Sequence, residues 1–266
     1  MTLLYFSSDR GFNFGKKDIY VSVREDVKSL DSWSEPILLS EDLNTKDNDY
    51  VTGLNDKVLA ISQDDSFNEE NTLYLEGNTA LDFIKGKVKS KNTHYTSPIR
   101  INIYDKQTLA LKNIVRTNDK GFFAFLKPQK DIVMNCQASK YFSPLSENSP
   151  ELYSIEDMVS KQELITIESP FDDNGNITLT GKKNLEILAN SFKNTDYMLT
   201  IGIHAVKPTS KSDEKTLSEK QALQVIDVLT KNGMNKENII ATGYGKENIM
   251  QGWEKTNSMD IGAISK

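Results

Sequence analysis

The spacing of apolar positions changes along this chain and divides it into three parts. Up to residue 77, short runs alternate apolar and polar residues, the repeat of half-buried strands. Leu4 to Ser8 and Asp18 to Val23 flank a Gly/Asn-rich stretch and predict a hairpin. WSEPILL follows at Trp33, then DLNTKDNDY, then runs at Lys57 to Ser62 and Thr72 to Glu76. Alternation continues over residues 80–146. Ile99, Ile101 and Ile103 are expected on one face of a strand, with Arg100 and Asn102 on the other. Asn118-Asp119-Lys120-Gly121 predicts a turn before a strand at Phe122 to Leu126. Residues 147–162, ENSPELYSIEDMVSKQ, are polar around Pro150 and read as a linker.

Beyond Glu163 the period lengthens. ITIESPF predicts a strand and Asn174-Gly175 a turn. Leu185, Leu188, Ala189 and Phe192 recur at helical spacing within a helix over Thr180 to Lys193. Tyr197 to Ile203 reads as a strand. Thr216 and Glu219 have the spacing of a capping box. Ala222, Val225, Ile226 and Leu229 line the apolar face of the helix that box would open, and Asn232-Gly233 stops it. Ile239 to Thr242 is the next strand. The expected order is strand–helix–strand–helix–strand.

Composition narrows the function classes. A chain of 266 residues holds one to three domains. With 37% hydrophobic and 26% charged residues it suits globular domains with exposed surface. No apolar run approaches the roughly 20 residues that span a bilayer. Met1 leads straight into TLLYFSSDR, already strand-like, so no signal region is expected in this chain. A net charge of −6 argues against nucleic acid and against anionic lipid as partners. Cys136 is the single cysteine, which excludes an internal disulfide and a multi-cysteine metal site. Within IVMNCQAS it reads as a small core residue.

Catalytic motifs are missing. The chain has no GxSxG, no HExxH, no phosphate-cradling glycine loop and no Cys/His pair in a plausible setting. Two histidines leave little for general-base work. A non-enzyme without cofactor or metal is expected. DDNGN, Asp172 to Asn176, lacks the sixth-position glycine and the bidentate Glu of a calcium loop and predicts a hairpin turn instead. Asp42, Asp47 and Asp49 read as an acidic loop, Phe12, Phe14 and Trp33 as core, and His94 as a solvated loop residue.

Three resemblances organise these elements. YFSSDRG, KKDIY, WSEPILL and LNTKDND resemble the β-propeller blade repeat found beside OmpA-type domains in Bacteroidetes envelope proteins. About one and a half blades are present, where a propeller takes roughly four to eight. The resemblance therefore implies a fragment of a longer protein or a remnant packed on its neighbours. IKGKV, RINIYD, TNDKGFFAF and ASKYFSP resemble the carboxypeptidase regulatory-like β-sandwich, a spacer or docking unit. Leu199 to Lys246 resembles the OmpA-type C-terminal domain, whose pattern runs strand, GHTD, LSxxRA on a helix, a glycine stop and a strand ending in GYG. Here IHAV (Ile203 to Val206) stands for GHTD, LSEKQA (Leu217 to Ala222) follows at the family spacing, and GYG is intact at Gly243 to Gly245.

The resemblances imply a multidomain α+β chain. Its parts would be partial propeller blades over 1–77, a β-sandwich over 80–146, the linker over 147–162 and an OmpA-type α/β-sandwich over 163–266. They also imply a site. In that family an Asp at the strand end takes the ammonium of peptidoglycan diaminopimelate and an Arg on the helix grips its carboxylate. Those positions are Val206 and Gln221 here. The other positions of the site are His204, Leu217, Ser218 and Asn257, with Ser258 and Met259 replacing the arginines of a closing NRR motif. Losing two charge-assisted bonds of roughly 1.5–3 kcal/mol each would lower affinity about 10²- to 10⁴-fold. His204 is expected to be a strand-end histidine satisfied by neighbouring backbone.

The expectation is a non-catalytic scaffold of the periplasm, associated with the outer membrane and binding envelope proteins, some relatives of which accompany type 9 secretion or gliding machinery. A peptidoglycan anchor with weakened or rewired binding is the first alternative, and a glycan-binding accessory module the second. The resemblance favours a region N-terminal to this chain that carries the signal.

Overall fold

The computed structural model describes residues 2–9, 14–24, 28, 33, 36–39, 43–54, 57–63, 70–75, 83–90, 98–117, 121–128, 130–206 and 214–266. Phe12, Asp42, His94, Asn118 to Lys120 and residues 207–213 lie outside these residues. The chain is mostly β with a few helices, an α+β protein. It divides into two compact units, one of residues 1–89, 94–134 and 147–149, the other of 90–93, 135–146 and 150–266.

The first unit holds β1 (Thr2–Ser8), β2 (Asp18–Arg24), β3 (Ile37–Leu38), β4 (Asn48–Leu54), β5 (Lys57–Gln63) and β6 (Glu70–Leu75). It continues with β7 (Phe83–Lys87), β8 (Lys89–Ser90), β9 (Arg100–Asp105), β10 (Leu111–Arg116), β11 (Phe122–Leu126) and β12 (Ile132–Gln137), of which β8 and β12 run on into the second unit. β1 and β2 form the expected hairpin, Thr2 opposite Arg24 and Ser8 opposite Asp18. With β3 they make one three-stranded sheet, and β4, β5 and β6 make another. Among the described residues these sheets close no ring. β4 was not anticipated; it pairs with β5 from Asn48–Gln63 to Leu54–Lys57.

Alternation puts Ile19 and Val21 of β2 inward, where they meet Ile37, Leu39, Leu43 and Ala124 in one buried cluster. Ala124 lies on β11, in the stretch resembling the sandwich, so the segments expected as separate domains share a core. β9 also departs from simple alternation. Asn102, expected to face out, is buried, and its Oδ1 accepts from Arg100 Nε at 2.9 Å. A strand covered on both faces must satisfy its polar side chains internally. Cys136 is buried as expected, and burial pushes its thiol up to about 12.

The second unit adds β13 (Tyr141–Phe142), β14 (Glu151–Ser154), α1 (Ile155–Ser160), β15 (Ile165–Glu168), α2 (Leu179–Phe192) and β16 (Tyr197–His204). α3 (Glu214–Lys231), a short 3-10 turn over Lys236–Asn238, β17 (Ile239–Gly245) and β18 (Ser258–Ser265) complete it. The stretch expected as a linker is folded. Ser154 caps α1 by accepting from the Asp157 N–H, and Ile155 and Met158 enter the main core. The sheet order is β15-β18-β16-β17. β16 and β17 run parallel, while β18 is antiparallel to both β15 and β16.

β18, absent from the expected order, therefore fills a central place. Met259, Ile261 and Ala263 face the same core as Leu199, Ile201 and Ile203 of β16. α2 and α3 close that core with Leu185, Leu188, Phe192, Val225 and Leu229. Thr178 caps α2, its Oγ1 accepting from the Gly181 N–H at 2.9 Å. The capping-box expectation fails for α3: Thr216 lies inside a helix that already begins at Glu214. Gly233 at φ +94° ends α3, as its position predicted.

Candidate binding site at the end of β16

The chain leaves β16 at His204 and crosses Ala205 and Val206 toward α3. Ala205 N–H donates to Gly245 O at 3.1 Å, which ties this exit to the end of β17. Gly245 adopts φ +60°, and its own N–H donates to Ser218 Oγ at 2.9 Å. Ser218 Oγ in turn donates to Lys215 O at 2.9 Å. The Ser of the LSEKQA motif and the last Gly of GYG are thus joined, and Ser218 is wholly buried. Ser218→Ala should leave the Gly245 N–H unpaired in the interior and cost about 1–3 kcal/mol in urea unfolding followed by the helical circular dichroism signal. A cost below about 0.5 kcal/mol would show that another acceptor replaces it.

Val206 is half-buried. Its N–H donates to Asn257 Oδ1 at 2.7 Å, and Asn257 Nδ2 makes a longer contact, 3.4 Å, to Asp173 Oδ1. Asp173 is exposed on the turn between β15 and α2. That turn is the hairpin expected for DDNGN. Asp172 accepts the Asn174 and Asn176 N–H groups at 3.0 and 2.8 Å, and the Asn176 N–H above all holds its carboxyl below the usual range. Gly175 at φ +82° carries the turn against α3. A methyl placed on it would lie 3.2 Å from Leu217 Cδ1 and 3.8 Å from Gln221 Nε2. Gln221 is 3% exposed, and its Oε1 has no protein partner.

His204 is held by side chains rather than by the expected backbone. Nε2 lies 3.0 Å from Asp260 Oδ2, Asp260 Oδ1 accepts from Thr166 Oγ1 at 2.6 Å, and the imidazole stacks on Tyr244 at 5.5 Å. Gly202 makes room for that stack, since a Cβ there would meet the Tyr244 ring at 3.0 Å. His204 Nδ1 and the Oγ of Ser258, its register partner, are buried without protein partners. The structure thus joins Val206 to Asn257, sets Leu217 and Gln221 under one turn, and places His204 with Ser258. Sequence reasoning missed Asp173, Thr166, Tyr244 and Asp260. The only sequence signal for them was the acid run at Asp172-Asp173 and the Tyr of GYG.

Asp173 offers a carboxylate at the edge of the site. Among the described residues, Lys215 Nζ at the start of α3 lies 3.9 Å from Glu247 and 5.6 Å over the Tyr244 ring, and Lys246, just after β17, pairs with Glu214. Chemically, the arrangement presents the Val206 methyls, a buried neutral amide and a peripheral acid.

The strand-end and helix-start geometry around Ser218, Gly243 and Asn257 lies within one family match. Residues 171–259 form an OmpA family domain. Among solved structures, the OmpA-like domain of FopA1 from Francisella tularensis is 20% identical, the match covering 38% of this chain and 72% of that one at a TM-score of 0.31. The periplasmic domain of Helicobacter pylori MotB (residues 97–256) is 18% identical, with coverages of 39% and 82% and a TM-score of 0.34. A putative MotB-like protein from Desulfovibrio vulgaris is 12% identical, with coverages of 47% and 79% and a TM-score of 0.32. No curated protein matches the chain. No helix among the described residues is long and apolar enough to cross a membrane.

Proposed function

We propose that this chain is a non-catalytic scaffold of the bacterial envelope, periplasmic and associated with the outer membrane, whose OmpA family domain no longer holds diaminopimelate tightly. One observation carries the reading: the two positions that resemble the family's charged pair are a valine and a buried glutamine. Val206 has a single polar donor, its N–H, already given to Asn257. Gln221 is covered by the Gly175 turn and carries no charge to meet a carboxylate. An OmpA family domain is ordinarily a binding module, which supports non-catalytic work. The partners proposed are envelope proteins, bound through surfaces outside this site. The Bacteroidetes setting and a link to type 9 secretion rest on the propeller-like and sandwich-like motifs alone.

A second reading is favoured by Asp173. Its carboxylate reaches Asn257 beside Val206 and could accept the ammonium that the family's strand-end Asp accepts, giving rewired peptidoglycan binding of reduced strength. Sedimentation of the full chain with purified diaminopimelate-type sacculi tests both. The scaffold reading expects the protein to stay in the supernatant at micromolar concentration. Binding lost on Asp173→Asn would instead establish the rewired site. Binding that survives this substitution would sink both readings, because neither family position nor Asp173 would then be holding the ligand.

A further inference from the structure

A second arrangement, in the first unit, has no part in the proposed function. Asp18 and Asp49 occupy equal places in two copies of one turn. Phe14 N–H donates to Asp18 Oδ2 at 2.6 Å, and Thr45 N–H donates to Asp49 Oδ2 at 2.6 Å, each across four residues. The two turns lie side by side. Lys17 and Asn48 form a parallel bridge, Asp49 N–H donates to Lys17 O at 2.7 Å, and Lys16 N–H donates to Asp47 O at 3.2 Å. Gly15 permits the approach, because any Cβ there would run into the Lys46 backbone. Both aspartates are wholly buried, 0% exposed, at the seam between the β1-β2-β3 and β4-β5-β6 sheets.

Their surroundings differ. Asp49 has its carboxylate engaged by the Thr45 N–H and Oγ1. Asp18 Oδ1 has no protein partner. The charges that act on Asp18 are Asp49 from β4 and Arg116 from β10. The Arg116 guanidinium lies 5.9 Å over the Phe14 ring, and its Nε is also without a partner. Lys17, next in sequence, is drawn off over the Tyr50 ring. Two like charges in one buried seam repel, and a carboxylate oxygen without a protein donor carries a desolvation cost.

We infer that Asp18 and Asp49 form a proton-operated latch between the two sheets, closed most tightly when Asp18 is protonated and loosened when both carboxylates are ionised. Protonation removes the repulsion and the desolvation cost of a buried charge. Burial, first of all, lifts the Asp18 carboxyl to about 6; the Phe14 N–H pulls it down, Asp49 lifts it, and the Gly15 N–H and Arg116 pull down more weakly. A folded value raised above the unfolded one gives stability that is complete below the unfolded value, near 4, and lost as pH rises through about 6. The seam should therefore be firmer in mild acid than at neutrality.

Hydrogen exchange of the full chain, corrected for intrinsic rates, reads this directly. Peptides covering β2 and β4 should gain roughly 10-fold or more in protection between about pH 7.5 and about pH 5, relative to peptides of α2 and α3. Asp18→Asn should abolish that gain and hold the seam at its protected level throughout. Asp49→Asn should leave a gain but move its midpoint below the wild-type position, which keeps the idea testable where Asp18→Asn does not fold. A flat wild-type profile, or an unmoved midpoint in Asp49→Asn, would overturn the latch. So would an equal gain in protection at about pH 7.5 on adding calcium, since the seam would then be a cation site and not a proton switch.

Discussion

Gly243→Ala should destabilise the OmpA family domain by about 3 kcal/mol, the upper part of the range for overfilling a packed interior. Gly243 is the first residue of the GYG motif, on β17, directly beneath the first turns of α3. A Cβ built there falls on the Glu219 backbone nitrogen and the Ser218 carbonyl carbon. These are backbone atoms of a helix, so no side chain can swing aside, and α3 must shift as a body. The shift would also pull Ser218 away from the Gly245 N–H it accepts. Gly252 supplies the control. It has φ +93° with nothing within 4 Å of a built Cβ, so alanine there meets backbone strain alone, about 1–2 kcal/mol. Urea unfolding followed by the helical signal suits the comparison, because every helix among the described residues lies in the second unit. Equal losses at the two glycines would show that close approach of strand and helix is not what position 243 requires.

α2, the body of α3 and most strands were legible because their signals are local. Leu185, Leu188, Ala189 and Phe192 mark α2 by spacing alone, and the structure buries all of them. β18 was not legible although Met259, Ile261 and Ala263 alternate. Asp260 and Gly262 between them lower its apparent strand character, and its pairing partners β15 and β16 lie far back in the chain. α1 escaped for a related reason. Its buried residues are Ile155 and Met158, with Val159 packed beside them, and the polar remainder around Pro150 outweighs so short an apolar set. The start of α3 was misplaced because Thr216 and Glu219 have the spacing of a capping box. The helix runs on to Glu214, whose carboxylate meets Lys246 beyond β17, a contact that no local pattern contains.

The motif spacing proposes positions for a candidate site and says nothing of its bonds. Ser218, Asn257 and Gln221 were placed by motif spacing, and the structure brings each to the end of β16 or the start of α3. Their partners are long-range. His204 meets Asp260 across 56 residues, Val206 meets Asn257 across 51, and Asn257 meets Asp173 across 84. A histidine judged only by its neighbours in sequence looks satisfied by backbone. The stacked Tyr244 and the Asp260 carboxylate emerge only once β16, β17 and β18 lie side by side. The same applies to Asp18 and Asp49, whose repeated turns are short and whose burial depends on the two sheets meeting.

On the scaffold reading proposed above, the double change Val206→Asp and Gln221→Arg should make the chain sediment with diaminopimelate sacculi where the wild type stays in the supernatant, a gain of about 10²- to 10⁴-fold in affinity. Asp at 206 would supply an acceptor for the ammonium, and Arg at 221 a planar fork for the carboxylate. The structure predicts unequal difficulty for the two. Position 206 is half-buried at a strand end, where Asn257 Nδ2 can donate to a new carboxylate, so the single Val206→Asp should fold normally. Position 221 is nearly closed by the Gly175 turn, so an arginine must displace that turn to reach solvent. Gln221→Arg alone should therefore lower stability by about 1–3 kcal/mol and gain little binding, since one charge meets half of a zwitterion. In the double variant the ligand carboxylate draws the guanidinium outward, and part of the stability should return when ligand is present. Salt should weaken the restored binding only partly, because a pocketed pair is screened less than an exposed one. A double variant that keeps the wild-type unfolding midpoint and still leaves the sacculi bare would refute the charge argument.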